Sequence, residues 1–164
     1  MKRNIILIGM PGAGKSTVGV VLAKKKGYRF VDSDLVIQEQ EGRLLHEIIE
    51  QEGIDGFLEV ENRVNAALEL NHSVIATGGS AIYGQEAMAH LGAMGTICYL
   101  KLSYEAIRDR LGDLNERGVT VREGQTLLDL YEERIPLYEK YADLVIDCEN
   151  KTIRQIVAEI TTKC

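Results

Sequence analysis

The sequence predicts an α/β fold built on a parallel sheet with helices on both faces. Three observations predict it. Short apolar runs with strand character alternate with helical stretches along the whole chain. The first apolar run, NIILI, leads directly into a glycine-rich turn and then a helix. Apolar residues make up 45% of the 164 residues, with no Trp and only two Phe, so one aliphatic core fits one domain spanning 1–164.

The elements follow in order. Asn4–Ile8 is uniformly apolar from Ile5 onward, as a strand buried on both faces requires. Residues 16–26 read as a helix with Val18, Val21 and Leu22 on one face, ended by Gly27. Arg29–Asp32 is the second strand. Helices at 35–41 and 44–52 are stopped by Gly42 and Gly53, and a longer helix at 57–70 spaces Val60, Val64, Ala67 and Leu68 for one face. Ser73–Ala76 is the third strand, with Thr77, Gly78, Gly79 and Ser80 as its exit turn. A short helix at 85–91 precedes the fourth strand at 96–102, and Tyr104–Leu111 is helical. Residues 112–125 are polar and lack periodicity, and a loop this long in a compact domain is usually functional or disordered. A helix at 126–141, a fifth strand at Leu144–Asp147 and a closing helix at 152–161 complete the chain.

Composition excludes several classes of function. Net charge is −6 and the pI is near 5.2, which argues against nucleic acid as a partner. No apolar run approaches the roughly 20 residues of a membrane span, and no signal peptide is visible. The three cysteines, Cys98, Cys148 and Cys164, are widely spaced and odd in number, so free thiols in a reducing cytosol are expected. A cytoplasmic monomer is the default.

The chemistry starts at IGMPGAGKSTVG. Gly9, Gly14, Lys15 and Ser16 fit the G-x-x-x-x-G-K-[ST] phosphate loop at every fixed position. A chance match in a chain of this length is on the order of one in a hundred. Glycines let backbone N–H groups turn inward around an anion, and the helix that follows adds its positive end. Gly12, Ala13, Gly14, Lys15, Ser16 and Thr17 would then hold a nucleoside triphosphate, ATP, with the Ser16 hydroxyl available to Mg²⁺. In VDSD, Asp32 and Asp34 lie at the C-terminal end of the second strand, where α/β folds bind ligands. One can serve Mg²⁺ through water and the other can take the proton of an acceptor hydroxyl; as an alternative role, both are N-cap candidates for the following helix. Adjacent Gly78 and Gly79 allow close approach of a ligand at the same rim.

GMPGAGKSTVG, FVDSD, ATGGS and ERIPLY, in this order and at these spacings, resemble the shikimate kinases over nearly the whole chain. These are small P-loop kinases of the nucleoside-monophosphate-kinase type. The resemblance implies a three-layer α/β/α fold with a five-stranded parallel sheet, a mobile lid at about 112–125 and an acceptor-binding helical region at about 33–61. It implies transfer of the γ-phosphate of ATP to a hydroxyl of shikimate, within aromatic amino acid biosynthesis. Lys15 and Ser16 would hold ATP and Mg²⁺, Asp32 would sit near the metal, and Asp34 would bind acceptor hydroxyls and act as base. Gly78, Gly79 and Arg134 would line the acceptor pocket. Arg117 would reach the phosphates from the lid, and Arg110 would lie by the adenine.

Three departures border the acceptor side. Leu58 follows Phe57 where the family carries an arginine for the substrate carboxylate, while Glu61 is kept. Arg117, Gly118, Val119 and Thr120 replace an R-P-L-L stretch, and Ser80 replaces a third glycine. Two accounts stay open: Arg63, Arg43 or Arg122 takes over the carboxylate, or the acceptor is another small hydroxy acid or polyol. A catalytically silent nucleotide-binding protein is a further alternative; loss of Lys15, Ser16 or the aspartates would mark it, and all are present.

Overall fold

A computed structural model describes residues 3–112 and 122–164. Five strands, β1 (Asn4–Ile8), β2 (Arg29–Asp32), β3 (Ser73–Ala76), β4 (Gly95–Lys101) and β5 (Leu144–Asp147), form one parallel sheet in the order β2-β3-β1-β4-β5. β1 is central, and all five of its residues are buried, so helices cover both faces of the sheet. The edge strands β2 and β5 each bury one residue, Val31 and Ile146. This is the α/β architecture expected from the sequence.

Among the described residues, seven helices connect and flank the strands: α1 (Lys15–Lys26), α2 (Ser33–Glu41), α3 (Leu45–Ala66), α4 (Gln85–Met94), α5 (Tyr104–Leu111), α6 (Leu127–Tyr141) and α7 (Ile153–Lys163). A 3-10 turn at Ala81–Tyr83 follows β3. The stop expected at Gly53 is present as a kink, where two helical segments of α3 meet. Gly53 takes φ 77° and ψ 174°, which only glycine adopts at low cost, and helix resumes at once. The expected gap before residue 57 is therefore absent. Ile37, Ile48, Phe57, Val60 and Val64 form a small core of their own between α2 and α3, with Leu58 packed against its edge.

The strand order creates the crevice. The chain leaves β1 towards β2 on one side of the sheet and leaves β3 towards β4 on the other, so the connections diverge between neighbours β1 and β3. Asn4 ties this centre together at the opposite end. Its amide donates to the carbonyls of Leu70 and Met94, at 2.9 and 3.1 Å, and its carbonyl accepts from the Ser73 N–H at 3.0 Å. Cys98 and Cys148 are buried free thiols as expected, whereas Cys164 is a free thiol on the surface. Among the described residues no helix is long and apolar enough to cross a membrane.

Asn4→Ala would strand a buried N–H and two carbonyls at the base of three strands. We expect urea denaturation to show a loss of about 2–4 kcal/mol, at the cost of roughly 1–3 kcal/mol per unsatisfied buried group with partial relaxation.

Candidate functional site

Three loops on adjacent strands meet at the C-terminal rim: the glycine-rich loop after β1, Asp32 at the end of β2, and the turn after β3. They enclose a cavity of about 330 Å³. Gly12, Gly14, Lys15, Ser16 and Thr17 line one end; Asp32 and Asp34 line its side; Gly78, Gly79 and Arg134 line the other end.

The first end is a cradle for polyanions. Gly12 and Gly14 take φ 83° and 93°, turning the loop in a way a side-chain-bearing residue would resist. Gly14 caps α1 without any side chain, and the first turn of α1 carries no acid, so its leading N–H groups face the cavity uncompensated. Lys15 is 8% exposed, and its Nζ donates to the carbonyls of Gly9 (2.6 Å) and Met10 (3.0 Å). Burial lowers its pKa to about 8, with Asp34 pulling the other way. Ala13 faces away: its methyl is in the main core and its N–H donates to the Met10 carbonyl at 3.1 Å, so it shapes the loop. Arg110, at the end of α5, donates to the Gly12 carbonyl at 3.1 Å over the tip of the loop. Arg117 lies outside the described residues, as does most of the stretch 112–125.

The two aspartates reach the cavity by a different route from the one expected. Asp32 ends β2, but Asp34 sits in the first turn of α2, so they are not alternate positions of one strand. Asp32 caps α2 by accepting the Asp34 N–H at 3.0 Å, and this cap turns the Asp34 side chain back over the crevice. Capping and lining the cavity are therefore both true of Asp32. Burial, then the neighbouring Asp32, pushes the Asp34 carboxyl up to about 6 against the pull of Lys15.

Gly78 and Gly79 are glycines because of crowding. A Cβ on Gly78 would stand 2.7 Å from Asp34 Oδ1 and 3.0 Å from Glu61 Oε2. A Cβ on Gly79 would stand 2.8 Å from Pro11 Cδ and 2.9 Å from Arg134 Nη1. Arg134 is fully buried and not the solvated helix charge its sequence position also allowed. Its Nε donates to Tyr83 Oη at 3.4 Å, with the guanidinium over the Tyr83 ring.

Sequence reasoning missed two supports. Tyr138, one turn beyond Arg134 on α6, donates to the Gly79 carbonyl at 2.7 Å and stacks on Tyr99. Only its place in ERIPLY signalled it. Ser80, noted as a departure, donates to Glu61 Oε1 at 2.7 Å, and Glu61 is buried in α3. Glu61 Oε2 has no hydrogen-bond partner among the described residues, and burial pushes its carboxyl up to about 7. Of the three cations considered for a missing partner, Arg43 is bound to Glu41, Glu52 and Gln51, and Arg63 to Glu41. Arg122 pairs with Asp55 at 2.7 Å.

Among the described residues no group of three or more His, Cys, Asp or Glu could hold a metal unaided. Ser16 and Asp32 do present a hydroxyl and a carboxylate to one cavity. Such hard oxygen donors suit Mg²⁺ that arrives with phosphates and keeps part of its water shell.

Comparison with known proteins gives one answer. The family model "Shikimate kinase" matches residues 11–164. The shikimate kinase of Haemophilus influenzae (strain PittEE) is 37% identical over 165 residues, covering 97% of this chain and 91% of that protein. That of Francisella tularensis subsp. novicida is 38% identical over 164 residues, covering 98% and 93%. The structure of a shikimate kinase from Acinetobacter baumannii in complex with shikimate superposes with a TM-score of 0.89 at 34% identity, covering 99% of this chain and 93% of that one. That from Aquifex aeolicus gives 0.78 at 31% identity, covering 97% and 94%.

The buried carboxyls fix the sign of a pH effect. Glu61 binds its proton more tightly folded than unfolded, so its contribution is fully present below its ordinary value of 4.5 and fades as pH rises through about 7. Relative to Glu61→Gln, the wild-type protein should lose on the order of 1–3 kcal/mol between pH 5 and pH 8, read by urea denaturation at both values.

Proposed function

The chain belongs to the shikimate kinase family, and from that premise we propose how its own residues transfer the γ-phosphate of ATP to a hydroxyl of shikimate. The observation that carries the reading is a single cavity with a phosphate cradle at one end and a buried arginine beside paired glycines at the other, bridged by Asp34. The enzyme is an ATP-dependent phosphotransferase acting on an alcohol group.

The triphosphate lies along the loop, where its oxygens take the amides at the start of α1. There they compete with the Gly9 and Met10 carbonyls for the Lys15 ammonium. Ser16 and Asp32 would hold Mg²⁺, which would neutralise phosphate charge. The acceptor sits against Gly78 and Gly79, with Arg134 facing its acid group. Asp34 accepts a hydrogen bond from the attacking hydroxyl. As the new Pγ–O bond forms and the bond to the ADP oxygen breaks, the hydroxyl proton passes to Asp34. Lys15 stabilises the charge spread over the transferring group, and Arg117 is assigned the same role from the lid at about 112–125. Gly12, Gly14 and Thr17 contact the nucleotide, Ala13 holds the loop's shape, and Arg110 borders the nucleotide end.

The chain is read as a single domain, 1–164, with the helical region 33–61 forming the acceptor side; it works as a cytoplasmic monomer. The alternatives open on the sequence gain nothing from the structure. Lys15, Ser16, Asp32 and Asp34 all face the cavity, so a silent nucleotide binder has no missing part to explain it. Relatives matched over nearly their full length are shikimate kinases, which disfavours another acceptor.

ADP release measured over a panel of small hydroxy acids and polyols tests the reading: shikimate should give the highest rate, well above the ATPase background without acceptor. Because Asp34 must be ionised to take the proton and its pKa is raised to about 6, kcat/KM should fall as pH drops through about 6. Asp34→Asn should lower kcat by roughly 10²–10⁴ and flatten that acid limb. A full rate in Asp34→Asn would remove it from the mechanism.

A further inference from the structure

We propose that Arg122, together with Arg134, forms the seat for the carboxylate of the acceptor. The inference rests on the reading of shikimate, a hydroxylated carboxylic acid, as that acceptor. A second, smaller cavity of about 60 Å³ adjoins the first, and Arg134 lines both. Arg122, Leu58, Ile54 and Tyr83 also line it, as do Gln125 and Glu133. Two guanidinium groups thus border one small space that shares Arg134 with the main cavity, and a guanidinium is the side chain best shaped to hold a carboxylate.

The neighbouring cations do not serve. Leu58, on this wall, carries no charge. Arg43 and Arg63 are engaged by Glu41 and Glu52, and neither borders this cavity or the main one. Arg122 is placed differently. Its present partner, Asp55, lies three residues before Leu58 on α3, so the pair already holds the guanidinium at the turn that carries Leu58. Asp55 is 81% exposed and the Arg122 side chain 56%, so water screens this pair and either partner exchanges readily. An incoming carboxylate replaces one carboxylate with another and leaves no charge stranded. Glu133 is the one acid on the wall, and its Oε2 is already occupied by the Tyr83 hydroxyl (2.6 Å) and the Gln125 amide (3.3 Å).

The test is steady-state kinetics on the full chain with shikimate and with its uncharged methyl ester, varying ATP separately. Arg122→Ala should raise KM for shikimate by roughly 10- to 100-fold, the loss of one hydrogen bond to a charged group, with little change in KM for ATP. It should also erase much of the wild-type preference for the acid over the ester, and Leu58→Arg added to Arg122→Ala should restore low KM. An unchanged shikimate KM, an unchanged acid-to-ester ratio, or an effect confined to ATP would overturn the role of Arg122 and leave the kinase reading intact. Absence of any shikimate-dependent turnover in the wild-type protein would overturn both.

Discussion

The site depends on mutual compensation among charges that none of them could support alone. Lys15 and Arg134 are buried cations, Glu61 is a buried acid and Asp34 a half-buried one, and the other three are close enough to Lys15 for their charges to act on it. An isolated buried charge costs several kcal/mol, and proteins avoid it by pairing or by neutralisation. Both responses are visible. Desolvation moves Lys15 down to about 8 and the two carboxyls up to about 6 and 7, while each opposite charge holds these shifts back. A polyanion entering the cradle meets an ammonium whose hydrogen bonds, among the described residues, go to two neutral carbonyls, which it can displace without stranding a charge.

The fold keeps these groups close by fastening backbone to side chain across the sheet. Parallel strands put all their C-terminal ends on one rim, and the order β2-β3-β1 brings three functional loops side by side. Thr77 extends the pairing of β3 with β1 past the strand ends, its hydroxyl and N–H both bonded to the Leu7 carbonyl. α6 delivers Arg134 and Tyr138 one turn apart, so the residue that reaches the cavity and the residue that anchors Gly79 move as one unit. Crowding then dictates Gly78 and Gly79, since a methyl at either would collide with the very groups the site needs.

What the sequence makes legible is what it writes locally. The phosphate loop occupies one continuous stretch, and its signals, a buried strand, glycines and a helix start, are neighbours in the chain. The bounds of β1, β2, β3, α5 and β5 are equally local and agree with the expected ones. Asp34 shows where this stops: both aspartates line the cavity, but a cap by Asp32 starts α2 at Ser33, two residues before the expected start, and takes Asp34 off the strand. The bonds of Asn4 to Met94, Ser80 to Glu61 and Tyr138 to Gly79 join residues 90, 19 and 59 apart and leave no periodic trace. The burial of Arg134 was illegible for the same reason, because an arginine on an amphipathic helix is usually solvated and only the tertiary fold closes Tyr83 over it.

Leu58, Glu61 and Ser80 make sense only as a group. Leu58 lies three residues before Glu61 on α3, in position to offer it a partner, and being apolar it joins the edge of the small α2–α3 core instead. Glu61 is thereby left buried without a cation on its own helix face. Ser80, arriving from the turn after β3, supplies one donor to Oε1, and Oε2 remains unpartnered. A carboxylate in that state is relieved most cheaply by a proton, which is why burial raises its pKa to about 7. The acid facing Gly78 therefore repels an anionic acceptor less than a fully ionised one would. An apolar residue at 58 thus offers Glu61 no cation, and burial then lessens the negative charge that Glu61 sets beside Gly78.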